Sequence, residues 1–284
     1  MKRLLTILMM CTTLSVMAQQ ETANMIQNPM LWADVPDPDV IRVGDTFYLV
    51  STTMHLMPGA PVMASKDLKN WETVGYIFDK LTDSPKYDLL EGTAYGRGQW
   101  ATSLKYHKGK FYALLAPNEQ GAMGDTYIFT ADKAEGPWKI VSRMCHFHDC
   151  SLFFDDDDRV YVVYGTGEMM ELKPDLSDVI EGTYQKIFER EADETGLLEG
   201  SRVIKHRGKY YLLMISHVYA LAVIVARCAT VPMISMVPTR RTSSSSLSSA
   251  ASPTRHKARL STVPTATGMA LSSRIVVVWA VCSP

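Results

Sequence analysis

The chain has 284 residues, of which 46% are apolar and 21% charged, with a formal net charge of -1. These values fit one globular domain, or one and a fraction. Near-neutral charge gives no electrostatic basis for holding nucleic acid or an anionic membrane, so neither is expected as a partner.

The first stretch, MKRLLTILMMCTTLSVMAQQ, reads as an export signal over residues 1–18. Lys2 and Arg3 form its basic end, Leu4 to Val16 its apolar run, and Val16-Met17-Ala18 a cleavage site before Gln19. The chain is therefore expected in the periplasm or outside the cell. The apolar run is too short to span a bilayer, and Met10 before Cys11 argues against lipid attachment there. Cys145 and Cys150 could oxidise in an exported chain, but both are expected as free thiols.

Four segments then resemble one another: GDTFYLVST (44–52), KGKFYALLA (108–116), DDRVYVVYG (157–165) and RGKYYLLMI (207–215). Each has a polar turn, an aromatic or Val-Tyr pair, then apolar residues, which predicts a strand entered from a hairpin. Tyr48, Tyr112, Tyr161 and Tyr211 are spaced 64, 49 and 50 residues apart. A strand repeat of this length predicts four-stranded propeller blades. SKDLKNWETVG (65–75) and ADKAEGPWKIV (131–141) each place a Trp after a polar turn, ready to cap the next strand.

Acidic residues stand ahead of the strands. Asp37 lies between two prolines in NPMLWADVPDPDVIRVGDTFYLV (28–50), which restrict the backbone around it. Asp149 lies in HFHDCSLFFDDDDRVYVVYG (146–165) and Glu199 in GLLEGSRVIKHRGKYYLL (196–213). A single acid near a turn is most often a cap or a solvated group. Three at equivalent repeat positions are expected to converge on the propeller axis. The run Asp155 to Asp158 lacks the Gly and distal Glu of a calcium loop and reads as a solvated turn.

Together these segments, with WATSLKYHKGKFY (100–112), resemble glycoside hydrolase family 43 over residues 28–216. The resemblance implies an all-β, five-bladed propeller that trims arabinose and xylose from plant hemicellulose, without metal or other cofactor. It implies Asp37 as general base, Glu199 as general acid and Asp149 as the group that tunes the acid's pKa and orientation. The reaction inverts the anomeric centre, with the two carboxyls about 6.5–9.5 Å apart to seat a water. Trp100 matches an aromatic that shapes the sugar pocket, with blade-core packing as its alternative, and His55 is a further pocket candidate. Ser201 and Thr102 stand where the family more usually has Pro, with small local effects expected. The opening motif is most similar to the branch of α-L-arabinofuranosidases and β-xylosidases, so the expected activity is exo-acting on hemicellulose-derived oligosaccharides. A non-catalytic carbohydrate-binding propeller and an endo-acting arabinanase are the alternatives.

Only four blades are legible. Residues 237–260 are rich in Ser, Thr, Arg and Pro, and the chain ends RIVVVWAVCSP (274–284). Shifted by one base, codons for that ending permit QDRGGVGRVLP. Extended back to His256, the shifted reading permits GDWYGIV, a fifth turn and strand. TVPMISMVPTR (230–240) likewise permits YRSDDIDGPYE. Residues 217–284 are therefore expected to be an out-of-frame, non-native tail, with the break between Ser216 and Ala222. The chain as written is expected to be impaired by the lost blade.

Overall fold

A computed structural model of the chain describes residues 29–119, 122–190, 198–218 and 223–231. The expected export signal and most of the expected tail lie outside the described residues.

The fold is all-β. The first sheet takes β1 (Asp39–Val43), β2 (Thr46–Val50), β3 (Gly59–Ser65) and β4 (Glu72–Phe78) in order. The second contains β5 (Thr102–His107) and β6 (Lys110–Leu115), followed in sequence by the small pair β7 (Asn118–Glu119) and β8 (Ala122–Met123). It is completed by β9 (Thr126–Ala131) and β10 (Lys139–Met144). The third takes β11 (Ser151–Phe154), β12 (Val160–Tyr164), β13 (Glu168–Leu172) and β14 (Gln185–Lys186). The fourth takes β15 (Leu198–His206), β16 (Lys209–Val218) and β17 (Val223–Val231). Every pairing within these sheets is antiparallel, and β1, β5, β11 and β15 lie beside one another in series. These are four propeller blades with their first strands innermost. No helix among the described residues is long and apolar enough to cross a membrane.

The four sequence repeats are the inner hairpins. Val43 faces Thr46, His107 faces Lys110 and His206 faces Lys209, so three of the hairpins turn in two residues. The two Trp motifs also fall at matching turns. The indole of Trp71 donates to the Leu68 carbonyl and that of Trp138 to the Ala134 carbonyl, each at 3.1 Å. Each ring closes the turn that leads into the last strand of its blade. β17 starts just after the expected frame break and pairs with β16 along its length.

Blade two explains why KFYALLA reads as a continuous apolar run. Ala113 and Leu115 pack with Val50, Val62 and Ile77 of blade one. Leu114 between them packs with Leu152, Val160 and Val162 of blade three. Tyr127 and Phe129 face blade one while Ile128 faces blade three. Alternate side chains point to opposite faces, and here both faces are covered. Leu104, Leu114, Leu115 and Leu152 are fully buried, each contributing about 1.5–3 kcal/mol of transfer energy.

The acidic run corrects the reading of a solvated turn. Asp155 is buried. Its Oδ1 accepts from Lys205 Nζ at 2.9 Å, and Tyr210 Oη donates to the same carboxylate at 2.9 and 2.8 Å. Asp158 pairs in the other direction, with Lys108 Nζ at 2.6 Å. The turn therefore ties blade three to blade four at one end and to blade two at the other. Asp156 and Asp157 remain at the surface, beside Lys205 and Arg159.

Candidate active site

Asp37 and Asp149 occupy matching positions. Each stands two residues ahead of an inner strand, and each has left-handed backbone, φ 48° at Asp37 and 47° at Asp149. Such a conformation is uncommon outside glycine and costs on the order of 1–3 kcal/mol. For Asp37 it also overrides the extended preference of a residue before proline. Contacts from the end of β2 impose it. The Thr52 N–H and Ser51 hydroxyl both donate to the Pro36 carbonyl, at 3.0 and 2.8 Å. Thr52 Oγ1 then donates to Asp37 Oδ2 at 2.9 Å. Asp37 is otherwise exposed.

Asp149 and Glu199 come together with a residue the sequence did not single out, His148. Each of the three offers an atom within 4.8 Å of the others. His148 Nε2 lies 3.4 Å from Glu199 Oε1, and the Gly200 N–H donates to Asp149 Oδ2 at 3.2 Å. Burial is the main reason the Asp149 carboxyl is pushed above the ordinary value. The charge of Glu199 adds to that, while His148, Arg202 and the Gly200 N–H oppose it. The bond to Glu199 lifts the His148 imidazole above its usual value, against burial and with help from Asp149. Two carboxyls and an imidazole at this range titrate as a group. The cluster keeps a proton to higher pH than an isolated carboxyl would, as a general acid requires. By donor set the same trio could also ligate a divalent cation. Asp37 is not among these three; it is held from blade one, by Thr52.

Blade two carries the first pocket candidate. Trp100 stands two residues before β5, at the place Asp37 and Asp149 hold in their own blades. It is half-buried with Arg97 over its ring, 5.4 Å from the centroid. Its Nε1 is buried without a protein partner, as is Nδ1 of His55. The His55 ring meets Tyr95 edge-on at 4.8 Å, and Tyr95 is exposed. These polar atoms and rings are the kind that read sugar hydroxyls and faces. Both pocket candidates thus sit on one linked segment, because Met54 and Gln99 exchange backbone hydrogen bonds at 2.9 Å.

That exchange depends on Gly98, at φ 99°. A Cβ there would lie 2.5 Å from the Met54 carbonyl oxygen and 3.1 Å from the His55 nitrogen. Gly98→Ala is expected to cost at least about 2 kcal/mol through strain and backbone clash. Thermal unfolding checks this, and a melting point unchanged within error would refute it.

Gln99 is the fully buried hub between blades one and two. Its Oε1 accepts from the Thr53 N–H at 2.7 Å and the Thr53 hydroxyl at 2.9 Å. Its Nε2 donates to Thr102 Oγ1 at 2.8 Å and to the Ser51 and Trp100 carbonyls. The two departures from proline therefore acquire partners. Thr102 accepts from Gln99, and Ser201 Oγ donates to the Gly165 carbonyl at 2.7 Å while its own carbonyl accepts from Ser151 Oγ at 2.7 Å. Cys145 and Cys150 are free, as expected, and burial pushes the Cys150 thiol up to about 12.

Comparison with known proteins identifies the family. The profile of "Glycosyl hydrolases family 43" matches residues 26–258. A β-xylosidase of Formosa agariphila is 32% identical over 182 residues, 62% of this chain and 30% of its own length. The non-reducing end α-L-arabinofuranosidase BoGH43B of Bacteroides ovatus is 33% identical over 224 residues, 75% of this chain and 39% of its own. Among solved structures, a bifunctional GH43-CE protein of Bacteroides eggerthii superposes with a TM-score of 0.65 at 40% identity, over 71% of this chain and 27% of that one. The chain thus spans about 30–40% of the length of the curated relatives it matches. With its blades, its inner-strand acids and a profile match over most of its length, the chain belongs to glycosyl hydrolase family 43.

Proposed function

We propose that the protein is an exo-acting, inverting glycosidase that removes terminal arabinofuranosyl or xylosyl residues from hemicellulose-derived oligosaccharides. The observation that carries the reading is the cluster of Asp149, Glu199 and His148, one carboxyl pushed up by burial beside another at an exposed-to-buried boundary. Asp37 takes a proton from a water as that water attacks the anomeric carbon. The bond from that carbon to the leaving oxygen breaks, and Glu199 gives its proton to that oxygen. Asp149 holds the cluster's proton by like charge and accepts the Gly200 N–H, which fixes its direction. Trp100 and His55 face the sugar. The names of the xylosidase and arabinofuranosidase relatives support the substrate class.

The proposal includes export, supported by residues 1–18, and an out-of-frame tail from about residue 217, supported by its composition and its shifted reading. The chain as written is then nearly inactive, and restoring the frame raises activity.

The test is hydrolysis of nitrophenyl α-L-arabinofuranoside, nitrophenyl β-xyloside and linear arabinan by the chain as written and by the frame-corrected chain. NMR reads the anomer first released. The expected result is exo-hydrolysis of a pentoside with inversion, unaffected by chelator and stronger in the corrected chain. Release of the retained anomer, or no pentoside hydrolysis by either form, would sink the reading. Preferred cleavage within arabinan would replace it with an endo-acting one. Sequencing the gene across codons 216–222 decides the frame.

A further inference from the structure

Asp39 and Arg202 hold matching places at the axis. Asp39 follows the left-handed Asp37 by two residues, Arg202 follows Gly200 at φ 67° by two, and Ser151 follows Asp149 by two. In blade four the pairing of β15 with β16 slips between Glu199 and Arg202. Residues three apart in a regular strand point to opposite faces. An extra residue resets that alternation. Glu199 and Arg202 can therefore both meet blade three, Glu199 at His148 and Arg202 through a guanidinium nitrogen 3.4 Å from the Cys150 carbonyl. The bulge also supplies the Gly200 N–H to Asp149.

Arg202 Nε lies 3.5 Å from Asp39 Oδ2. The same oxygen accepts the Leu104 N–H at 2.9 Å and has Lys105 Nζ 3.8 Å away. The side chains of Asp39, Arg202 and Lys105 are 12%, 16% and 20% exposed. One sheltered carboxylate thus faces two sheltered cations from two other blades. Truncating one partner of such a group leaves the others uncompensated. Arg202 also acts on Asp149, where its charge opposes the upward push of burial and Glu199. Arg202 thus meets the axial carboxylate directly and stands two residues after the Gly200 N–H that Asp149 accepts.

We propose that Asp39 is a positioning residue for the reaction: its carboxylate fixes the Arg202 guanidinium at the axis, and through Arg202 it ties the strand that follows Asp37 to the bulged strand that carries Glu199 and donates the Gly200 N–H to Asp149. The role of these groups in hydrolysis rests on the function proposed above, but the coupling does not.

The test compares Asp39→Asn, Arg202→Met and the double variant in the full chain. Asp39→Asn keeps the side-chain size and an oxygen for the Leu104 N–H, and removes only the charge. In a form of the chain that hydrolyses pentosides, each single variant is expected to lower kcat several-fold with KM held. The double variant is expected to fall no further than the lower single, because the two groups act as one unit. In denaturant unfolding the double variant is expected to lose less than the two single losses together. A folded Asp39→Asn chain with kcat unchanged, or a double variant whose losses are the sum of the single losses, overturns the proposal. If Asp39→Asn does not fold, Arg202→Met decides, since an unchanged kcat there breaks the link as well. Absence of all hydrolysis in the parent defeats the proposed function and leaves the unfolding comparison to judge the coupling.

Discussion

Glu199→Gln is expected to lower pentoside hydrolysis by about 10²–10⁴-fold while pentose binding stays within about two-fold. The amide keeps the size and the hydrogen-bonding shape of the acid but has no proton of carboxylic acidity to give. The departing sugar oxygen must then leave as an alkoxide or wait for water. Binding is retained because Trp100, His55 and Asp37 are untouched. The contrast with His148→Gln is informative. His148 Nε2 sits 3.4 Å from Glu199 Oε1, so its loss removes a hydrogen-bond partner of the acid but not the acid itself. The measurements are kcat and KM on xylo- and arabino-oligosaccharides, whose leaving sugar oxygen needs the proton, and calorimetric titration with free pentose. Hydrolysis by Glu199→Gln within ten-fold of the parent would move the acid role elsewhere, and loss of pentose binding in step with hydrolysis would make Glu199 a binding residue.

Gln99→Leu is expected to cost about 3–5 kcal/mol, the largest stability effect of any single change considered. The cost is not the bonds as such, since a typical hydrogen bond is worth about 1 kcal/mol net. It comes from what is stranded. The Thr53 N–H, the Thr53 hydroxyl and the Thr102 hydroxyl all bond the Gln99 amide, which has no exposed surface. Each buried group left without a partner costs about 1–3 kcal/mol, and the carbonyls of Ser51 and Trp100 lose a donor too. Gln99→Glu separates size from charge, because it keeps the acceptor for Thr53 but removes the donor to Thr102. It is expected to be milder than Leu at low pH and worse at high pH. Denaturant unfolding with an unchanged slope measures both. A loss under about 1 kcal/mol for Gln99→Leu would show that the neighbouring threonines find other partners.

How much of this was readable in the sequence varies with distance along the chain. The inner hairpins were readable because turn, aromatic and apolar run are adjacent residues. The indoles of Trp71 and Trp138 close turns three and four residues back, so their role also lay within a short window. The pairing of Asp149 with Glu199 was readable because the repeat carries position from blade to blade. What was not readable is set by partners one blade or more away. Gln99 looks like an ordinary polar loop residue until Thr53 is beside it. Asp155 sits in a run of four acids, and the local rule for such a run is solvation. Lys205 and Tyr210 override it. Arg202 is out of phase with Glu199 by strand alternation, and only the bulge between them, which leaves no clear local mark, turns both toward the same neighbours. His148 had a signal of a kind, an imidazole directly preceding the acid, but nothing in the sequence said it would face Glu199.

The acidic turn between β11 and β12 has a consequence for how the molecule assembles. Its ties join Asp155 to Lys205 and Tyr210, 50 and 55 residues further on, and Asp158 to Lys108 about as far back. Those separations equal one repeat. Closing a loop of that length costs only slightly more than closing one half as long, and each repeat needs only its neighbour to be in place. On a ribosome, blade two can therefore dock on blade one before blade four has been made, and the third inner hairpin can clamp onto the second as it emerges. The Asp39–Arg202 contact is different, because its two ends are separated by three blades of chain. It can form only once the first strand of blade four has been made, which makes it a late event of assembly.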